Sequence, residues 1–320
     1  MRREGSPWQG VGTVFVKELS DHVSSIRMLI LELLTFIIGG IVVYVAIDNI
    51  RATTAEDPFV LLKLFTSSQS TVVSLLGILT FLIPLMAIAL GFDAINGEHN
   101  RRTMSRILSQ PIYRDALLIG KFLAGLATLG ICLVCLWLLV VGLGILLLGI
   151  PPSPEEVARS LVFLVITLAY AGTWLAFAIF LSIVTRSAAT AVLTALGVWL
   201  FMTLLWPMIA PLIAVQIAPP DPRYALLGLQ TPETVEWLQM LRRISPNFVF
   251  AEAATTLLSP DSRAIGAVYI DQLQGAIIGS PLPLSESLAI VWPQAVALIG
   301  GVFVLFVGGY VVFQRQEVRA

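Results

Sequence analysis

Residues Phe122–Leu148 read FLAGLATLGICLVCLWLLVVGLGILLL, a run without one charged side chain. A helix needs about 20 apolar residues to cross the hydrocarbon core of a bilayer. A soluble core helix would show a polar stripe, and this run has none. The stretch therefore reads as a transmembrane helix, and it sets the solvent for the rest of the chain. Five further stretches qualify on the same ground: Met28–Ile47, Val72–Phe92, Leu161–Val184, Ala188–Ala218 and Leu288–Phe313. Membrane strands are disfavoured, because their segments are short and alternate in polarity. The expected fold is an all-α integral membrane protein with six transmembrane helices, organised as a single domain over residues 1–320.

Composition agrees. Of the 320 residues 57% are hydrophobic and only 12% charged, whereas a soluble domain carries about a quarter charged residues. The net charge of -1 by itself says nothing about nucleic acid or an acidic partner, and no nucleic-acid partner is expected. No cleavable signal sequence is expected, since Met1–Val16 lacks a basic cluster leading into an apolar core. The first span is expected to stay as an anchor.

The placement of Lys and Arg sets the orientation. With the N-terminus in the cytoplasm, inner segments hold twelve of them, including Lys17, Arg101, Arg102, Arg106, Arg114 and Lys121. The short outer loops hold three, Arg51, Lys63 and Arg159. Both termini are thus expected to be cytoplasmic in a multi-pass inner-membrane protein. Two spans should be irregular. Pro84 removes a helix hydrogen bond inside the second. Pro207 and Pro211 follow Trp206 in the fifth, which is expected to cross by about Trp206 and then bend or re-enter.

Outside the spans, Trp8–Arg27 (residues 8–27) has Val11, Val14, Phe15, Leu19, Val23 and Ile26 at helical spacing, with Lys17, Glu18 and Asp21 largely opposite. This suits an interfacial helix on the inner leaflet; the plainer reading is an extension of the first span. The loop Asp93–Arg114 (residues 93–114) is the most charged short stretch. Met104, Ile107 and Leu108 give it an apolar face, Arg101, Arg102 and Arg106 surround that face, and Pro111 ends the helix. It is either a docking knob for another protein or a solvated loop. In the outer segment 219–287, Thr231-Pro232-Glu233 and Ser245-Pro246 are helix starts. A small helical extracytoplasmic cap between spans five and six is expected there, or a structural connector.

Several chemistries are missing. There is no G-x-x-x-x-G-K-[ST] loop, because Gly120-Lys121 runs straight into Phe122. The spans carry almost no ionisable side chain at mid-depth, which argues against ion-coupled carriage. Cys132-x-x-Cys135 lacks the further ligands of a zinc site. His22 and His99 lie outside the spans, so no Ser–His–acid or H-E-x-x-H set is formed. No enzyme activity, bound cofactor or metal site is expected of this chain.

The stretch Phe92-Asp93-Ala94-Ile95-Asn96-Gly97-Glu98, then Thr103, then Leu108-Ser109-Gln110-Pro111-Ile112-Tyr113-Arg114 and Gly120-Lys121-Phe122, resembles the second-to-third-span segment of ABC-2 type permeases. Lys17-Glu18-Leu19-Ser20-Asp21 and Ile244-Ser245-Pro246-Asn247 resemble further segments of that family. The likeness is to the subgroup serving nitrous-oxide reductase maturation and gliding-motility export. Arg102 stands where the family has Gly. The resemblance implies two permease chains, expected as a homodimer, over two ABC ATPase subunits that hold ATP and Mg. It implies that Glu98–Ser109 is a coupling helix, with Met104, Ile107 and Leu108 as its knob. Glu98, Arg101, Arg102, Arg106 and Arg114 would form the rim or the loop's own ties, and Thr103 and Pro111 belong to the same motif. Arg114 and Lys121 could equally anchor lipid phosphates. Residues 8–27 would be the elbow helix. Export is the expected direction; mechanical drive of extracytoplasmic protein maturation is the alternative, with a secondary carrier and a membrane scaffold behind it.

Overall fold

The computed structural model describes residues 10–53, 59–68, 73–100, 114–226, 231–260 and 282–315. These residues are helical apart from short turns and extended links, and no strand occurs among them. The helices in chain order are α1 Val11–Val23, α2 Ile26–Thr53, α3 Val60–Thr66, α4 Leu75–Gly91, α5 Asn96–Asn100, α6 Arg114–Leu148 and α7 Pro154–Val184. They continue with α8 Ala188–Leu200, a π-helical turn Phe201–Leu205, α9 Trp206–Ile217, α10 Pro222–Leu226, α11 Pro232–Arg242, α12 Pro246–Leu258 and α13 Leu284–Arg315. Among the described residues six helical stretches are long and apolar enough to cross a membrane: Ile26–Arg51, Leu75–Glu98, Arg114–Leu148, Pro154–Val184, Ala188–Ile217 and Leu284–Arg315.

The third and fourth spans start seven or more residues earlier than hydropathy alone suggests, and for the fourth the reason is local chemistry. α7 begins at Pro154 because Ser153 caps it: the Ser153 hydroxyl accepts from the Glu156 amide, and Glu156 Oε2 accepts from the Ser153 amide. This reciprocal box with proline at the first helical position defines a helix start. α6 begins at Arg114, so Lys121 lies two turns inside the helix instead of at its mouth.

α7 is the central helix of the bundle, packed against α4, α6, α12 and α13. Its small residues Ala171, Gly172 and Ala178 are buried, which lets neighbours approach. At Gly91, the end of α4, a Cβ would fall 2.8 Å from Ala178 Cβ and 3.1 Å from the Leu175 carbonyl oxygen. Glycine there sets how closely α4 and α7 converge.

The proline expected to distort the second span does so in a satisfied way. Pro84 lacks the N–H that would bond the Thr80 carbonyl, and the Tyr170 hydroxyl lies 2.8 Å from that oxygen. The same hydroxyl is 2.7 Å from Asn247 Oδ1, and Asn247 Nδ2 donates to Thr203 Oγ1 at 2.6 Å. Thr203 sits in the π-helical turn of the fifth span. That turn absorbs the Pro207 region, so the helix runs on to Ile217 and does not turn back at Trp206. Trp206 Nε1 donates to the Leu241 carbonyl at 2.8 Å, docking α11 to the span.

Segment 219–287 supplies two of the expected helices, α11 and α12, and they differ in environment. α11 has no buried residue. α12 is built into the bundle against α4, α7 and α13, with Phe250, Ala253, Ala254 and Leu257 fully enclosed. Phe250 stacks on Tyr170 at 4.4 Å. Neither Thr231 nor Ser245 makes the expected capping bond. Thr231 Oγ1 accepts from the Asp221 amide, and the Ser245 hydroxyl donates to the Met202 carbonyl. The hydroxyls tie their helices to other segments.

At this same end Arg159, wholly buried, bridges three elements. Nη1 donates to the Leu257 carbonyl at 3.2 Å and to Ser287 Oγ at 3.1 Å, Nη2 donates to the Leu282 carbonyl, and Glu155 accepts from Nε and Nη2. The guanidinium fork thereby joins the start of α7 to the end of α12 and the start of α13.

Candidate functional site

At the opposite end of the bundle, α1 crosses the beginning of α6. The crossing is possible because residue 120 is glycine: a Cβ there would lie 2.7 Å from Val14 Cγ1 and 3.2 Å from the Val11 carbonyl oxygen. The next residue, Lys121, carries the charge at the crossing. Its side chain is 5% exposed, and Nζ lies 3.0 Å from Glu18 Oε2 and 2.8 Å from Glu98 Oε1. One ammonium therefore links α1, α6 and α5, the short helix that leads into residues 101–113.

Glu18 corrects the sequence reading of α1. The face of α1 that packs on α6 runs Val11, Val14, Glu18, so Glu18 belongs to the buried side and not to the solvent side with Lys17 and Asp21. The carboxylate is stable there because both oxygens are used. Oε2 meets Lys121 and Oε1 accepts from Lys17 at 2.8 Å. Burial alone would push the Glu18 carboxyl up, but the Lys121 charge and the hydrogen bonds from Lys17 and Lys121 outweigh it and hold the pKa below its usual value. Lys17 also meets Asp21 at 3.0 Å, and its pKa is raised, the two carboxylates overcoming the opposing effect of burial. His22, one turn on, is shifted down by burial and stays neutral at pH 7.

Segment 92–100 is held by two further sets of bonds. Ser182 Oγ, near the end of α7, accepts from the amides of Ile95 and Asn96 at 3.0 and 3.1 Å. Asn96 Nδ2 donates to Thr185 Oγ1 at 3.1 Å. Arg27, at the start of the first span, donates to Asp93 Oδ2 at 3.0 Å and lies over the Phe92 ring. The turn after the second span is thus fastened to spans one, three and four. At the α6 start, Asp115 accepts from Gln314 near the end of α13, so the sixth span joins the same end.

A cleft of about 420 Å³ opens beside the Lys121 cluster, between α1 and the ends of spans one to four.

Of the residues singled out in sequence, the structure brings Lys17, Glu18, Asp21 and Glu98 to one place around Lys121. Arg114 opens α6. Arg101, Arg102, Thr103, Met104, Arg106, Ile107, Leu108 and Pro111 lie outside the described residues. Sequence reasoning missed Ser182 and Arg159. Ser182 carries no pattern of its own, whereas Arg159 follows the Ser153-Pro154-Glu155-Glu156 helix start that would have placed it inside a span. Cys132 is buried and Cys135 exposed, both free, and no group of His, Cys, Asp and Glu fit for a metal occurs among the described residues.

Comparison with known proteins bears on what this arrangement serves. The model of the ABC-2 family transporter protein family matches residues 13–318. A protein of Pseudomonas aeruginosa named "Probable ABC transporter permease protein NosY" is 30% identical over 304 residues, 92% of this chain and 97% of the relative. Its namesake in Stutzerimonas stutzeri is 28% identical over 258 residues, 79% of this chain and 82% of the relative.

Proposed function

This chain belongs to the ABC-2 family of transporter proteins, and from that membership we propose that it is the membrane-spanning permease subunit of an exporter whose ATP hydrolysis resides in a separate subunit. In this reading the α1 end of the bundle faces the cytoplasm, α1 is the elbow helix, and residues 101–113, which follow α5, dock on the ATPase. Two ATPase copies and two permease chains complete the assembly, with ATP and Mg held by the ATPases.

The observation that carries the reading is the single buried ammonium of Lys121 shared between Glu18 of α1 and Glu98 of α5. Force applied to residues 101–113 reaches α6 directly through this ion pair. It reaches α1 through Glu18 and α7 through the two amides on Ser182. Such a cluster is a rigid link because its charges lie out of water and each is held by more than one partner, so pulling α1, α5 and α6 apart works against several buried ion pairs at once. α7 then spans the bundle to Arg159, which grips the end of α12 and the start of α13. A push at one end is conveyed to the other by packed helices.

That last connection also supports the second reading, in which ATP-driven motion is delivered to the outer face to act on an extracytoplasmic protein. α12 is keyed into the bundle by Asn247 and Phe250, so it moves with the spans. The discriminating experiment is copurification of the chain with its ATPase, followed by ATP-dependent uptake into inverted vesicles. Export predicts ATP-dependent accumulation of a solute. Mechanical drive predicts nucleotide-dependent change at α12 with no accumulation.

A further inference from the structure

The link between α11 and α12 reaches into the bundle. α11 runs back along α9: near its start the Thr234 hydroxyl donates to the Ala218 carbonyl at 2.8 Å, and near its end Trp206 Nε1 meets the Leu241 carbonyl. The Ser245 hydroxyl then bonds the Met202 carbonyl, and Asn247 meets Tyr170 and Thr203. Along α7, about 21 Å of helix separates Tyr170 from Val184 and about 24 Å separates it from Pro154. Residues 242–245 are thus level with the middle of the spans, inside a hydrocarbon core about 30 Å thick.

This turn is charged. The Arg243 side chain is 40% exposed, yet both oxygens of Glu252 hold its guanidinium, so it does not extend toward lipid headgroups. The half-buried Arg242 lies over the Phe248 ring at 5.8 Å, and its N–H donors meet no acceptor among the described residues. Gln294 of α13 is 5% exposed. Its Nε2 donates to Glu252 Oε2 at 3.1 Å, which turns Oε1 away from Glu252, and Oε1 is buried with no donor among the described residues.

Lipid satisfies none of these groups. Charged side chains at membrane depth face a water-filled cavity or a polar partner. The exposed faces of the spans carry Leu, Ile, Val and Phe, which offer an arginine no acceptor, so a second copy packed span against span does not fit here. Water fits both needs, since it accepts from Arg242 and donates to the enclosed Gln294 oxygen.

We propose that residues 242–245 line a water-filled vestibule at membrane depth, and that Arg242 there receives the oxyanion of a hydrophilic solute. A guanidinium fork matches the paired oxygens of a carboxylate, phosphate or sulfonate. The inference rests on the export reading above, for which it names the chemical class of the solute. The vestibule itself requires only that the spans cross a bilayer.

The full chain carrying Cys132→Ala and Cys135→Ala is placed in phosphatidylcholine nanodiscs, which are open to water on both faces. Ile244→Cys and Met240→Cys, both exposed beside the turn, are compared with Val304→Cys, an exposed apolar position on the sixth span. Two water-soluble thiol reagents are used, a sulfonatoethyl and a trimethylammonioethyl methanethiosulfonate. Ile244→Cys and Met240→Cys should react, and Val304→Cys should not. Relative to a free thiol in solution, the sulfonate reagent should be favoured about fivefold at Ile244→Cys. Arg242→Gln should remove that bias. Failure of both Ile244→Cys and Met240→Cys to react overturns the vestibule, because lipid or protein then covers the turn. Absence of the sulfonate bias, or a bias that Arg242→Gln leaves unchanged, overturns the oxyanion site. The readout needs neither an ATPase nor a defined orientation, so its failure is separable from failure of the permease reading.

Discussion

The Tyr170 hydroxyl sits 2.8 Å from the Thr80 carbonyl oxygen, the acceptor that Pro84 leaves without a helical N–H. A proline in a transmembrane helix is tolerated when something re-satisfies the freed backbone group. Here a side chain from another span does so, which ties the kink in α4 to α7.

Tyr170→Phe should therefore destabilise the bundle by about 1–3 kcal/mol, the cost of a buried acceptor left unsatisfied. Pro84→Ala in that background returns an N–H to the helix and should recover part of the loss. Thermal unfolding of the two single variants and the double variant in detergent checks this. Strict additivity of the two effects would contradict it.

Arg159→Met removes the donors shared by the Leu257 and Leu282 carbonyls and Ser287. The expected result is loss of α12 and α13 contacts with α7, read as faster hydrogen exchange over Pro246–Leu258. Arg159→Lys should fail to restore protection, because a single ammonium cannot reproduce the fork.

Gly120→Leu should lift α1 from α6, since even a Cβ meets the Val11 carbonyl at 3.2 Å. Overpacking of this kind costs about 1–3 kcal/mol. A spin label at exposed Val23 should become more mobile while the remaining spans keep their protection.

Acid should loosen the same contact. Glu18 has a lowered pKa when α1 is docked, so the undocked form binds more protons as pH falls, and docking weakens through that window. His22, also lowered by burial, acts in the same direction below its usual pKa, facing Glu18, Asp21, Asp93 and Lys121. Label mobility at Val23 should rise as pH falls below about 6.5, where His22 takes up a proton more readily in the undocked form, and rise further below about 4.5, where Glu18 does. His22→Phe should flatten the upper part of that rise, and a pH-independent signal would contradict the assignment.

Much of the architecture is legible in sequence because lipid is an undemanding judge of pattern: a run such as Phe122–Leu148 has one solution. The starts of α11 and α12 are legible too, from Thr231-Pro232 and Ser245-Pro246. The site is legible only in part. Gly120-Lys121 stands out as a pair, but its meaning depends on a helix about a hundred residues earlier in the chain crossing at that point. Glu18 lies on the buried face for the same reason, against the periodicity of its neighbours. Amphipathic periodicity assigns charges to solvent and has no means of anticipating a buried counter-charge. Ser182 is one hydroxyl among many in the spans, and only tertiary packing turns it into the acceptor for the Ile95 and Asn96 amides.

In the proposed permease, Lys121 transmits ATPase motion into the spans. The most direct measurement is a spin-label distance between Val23 on α1 and Arg186 beyond the end of α7, in the chain copurified with its ATPase, with and without ATP. The unaltered chain should show a nucleotide-dependent shift. Lys121→Met and the milder Glu98→Gln should each lose it while the ATPase stays bound. A shift of unchanged size in both variants would contradict the claim.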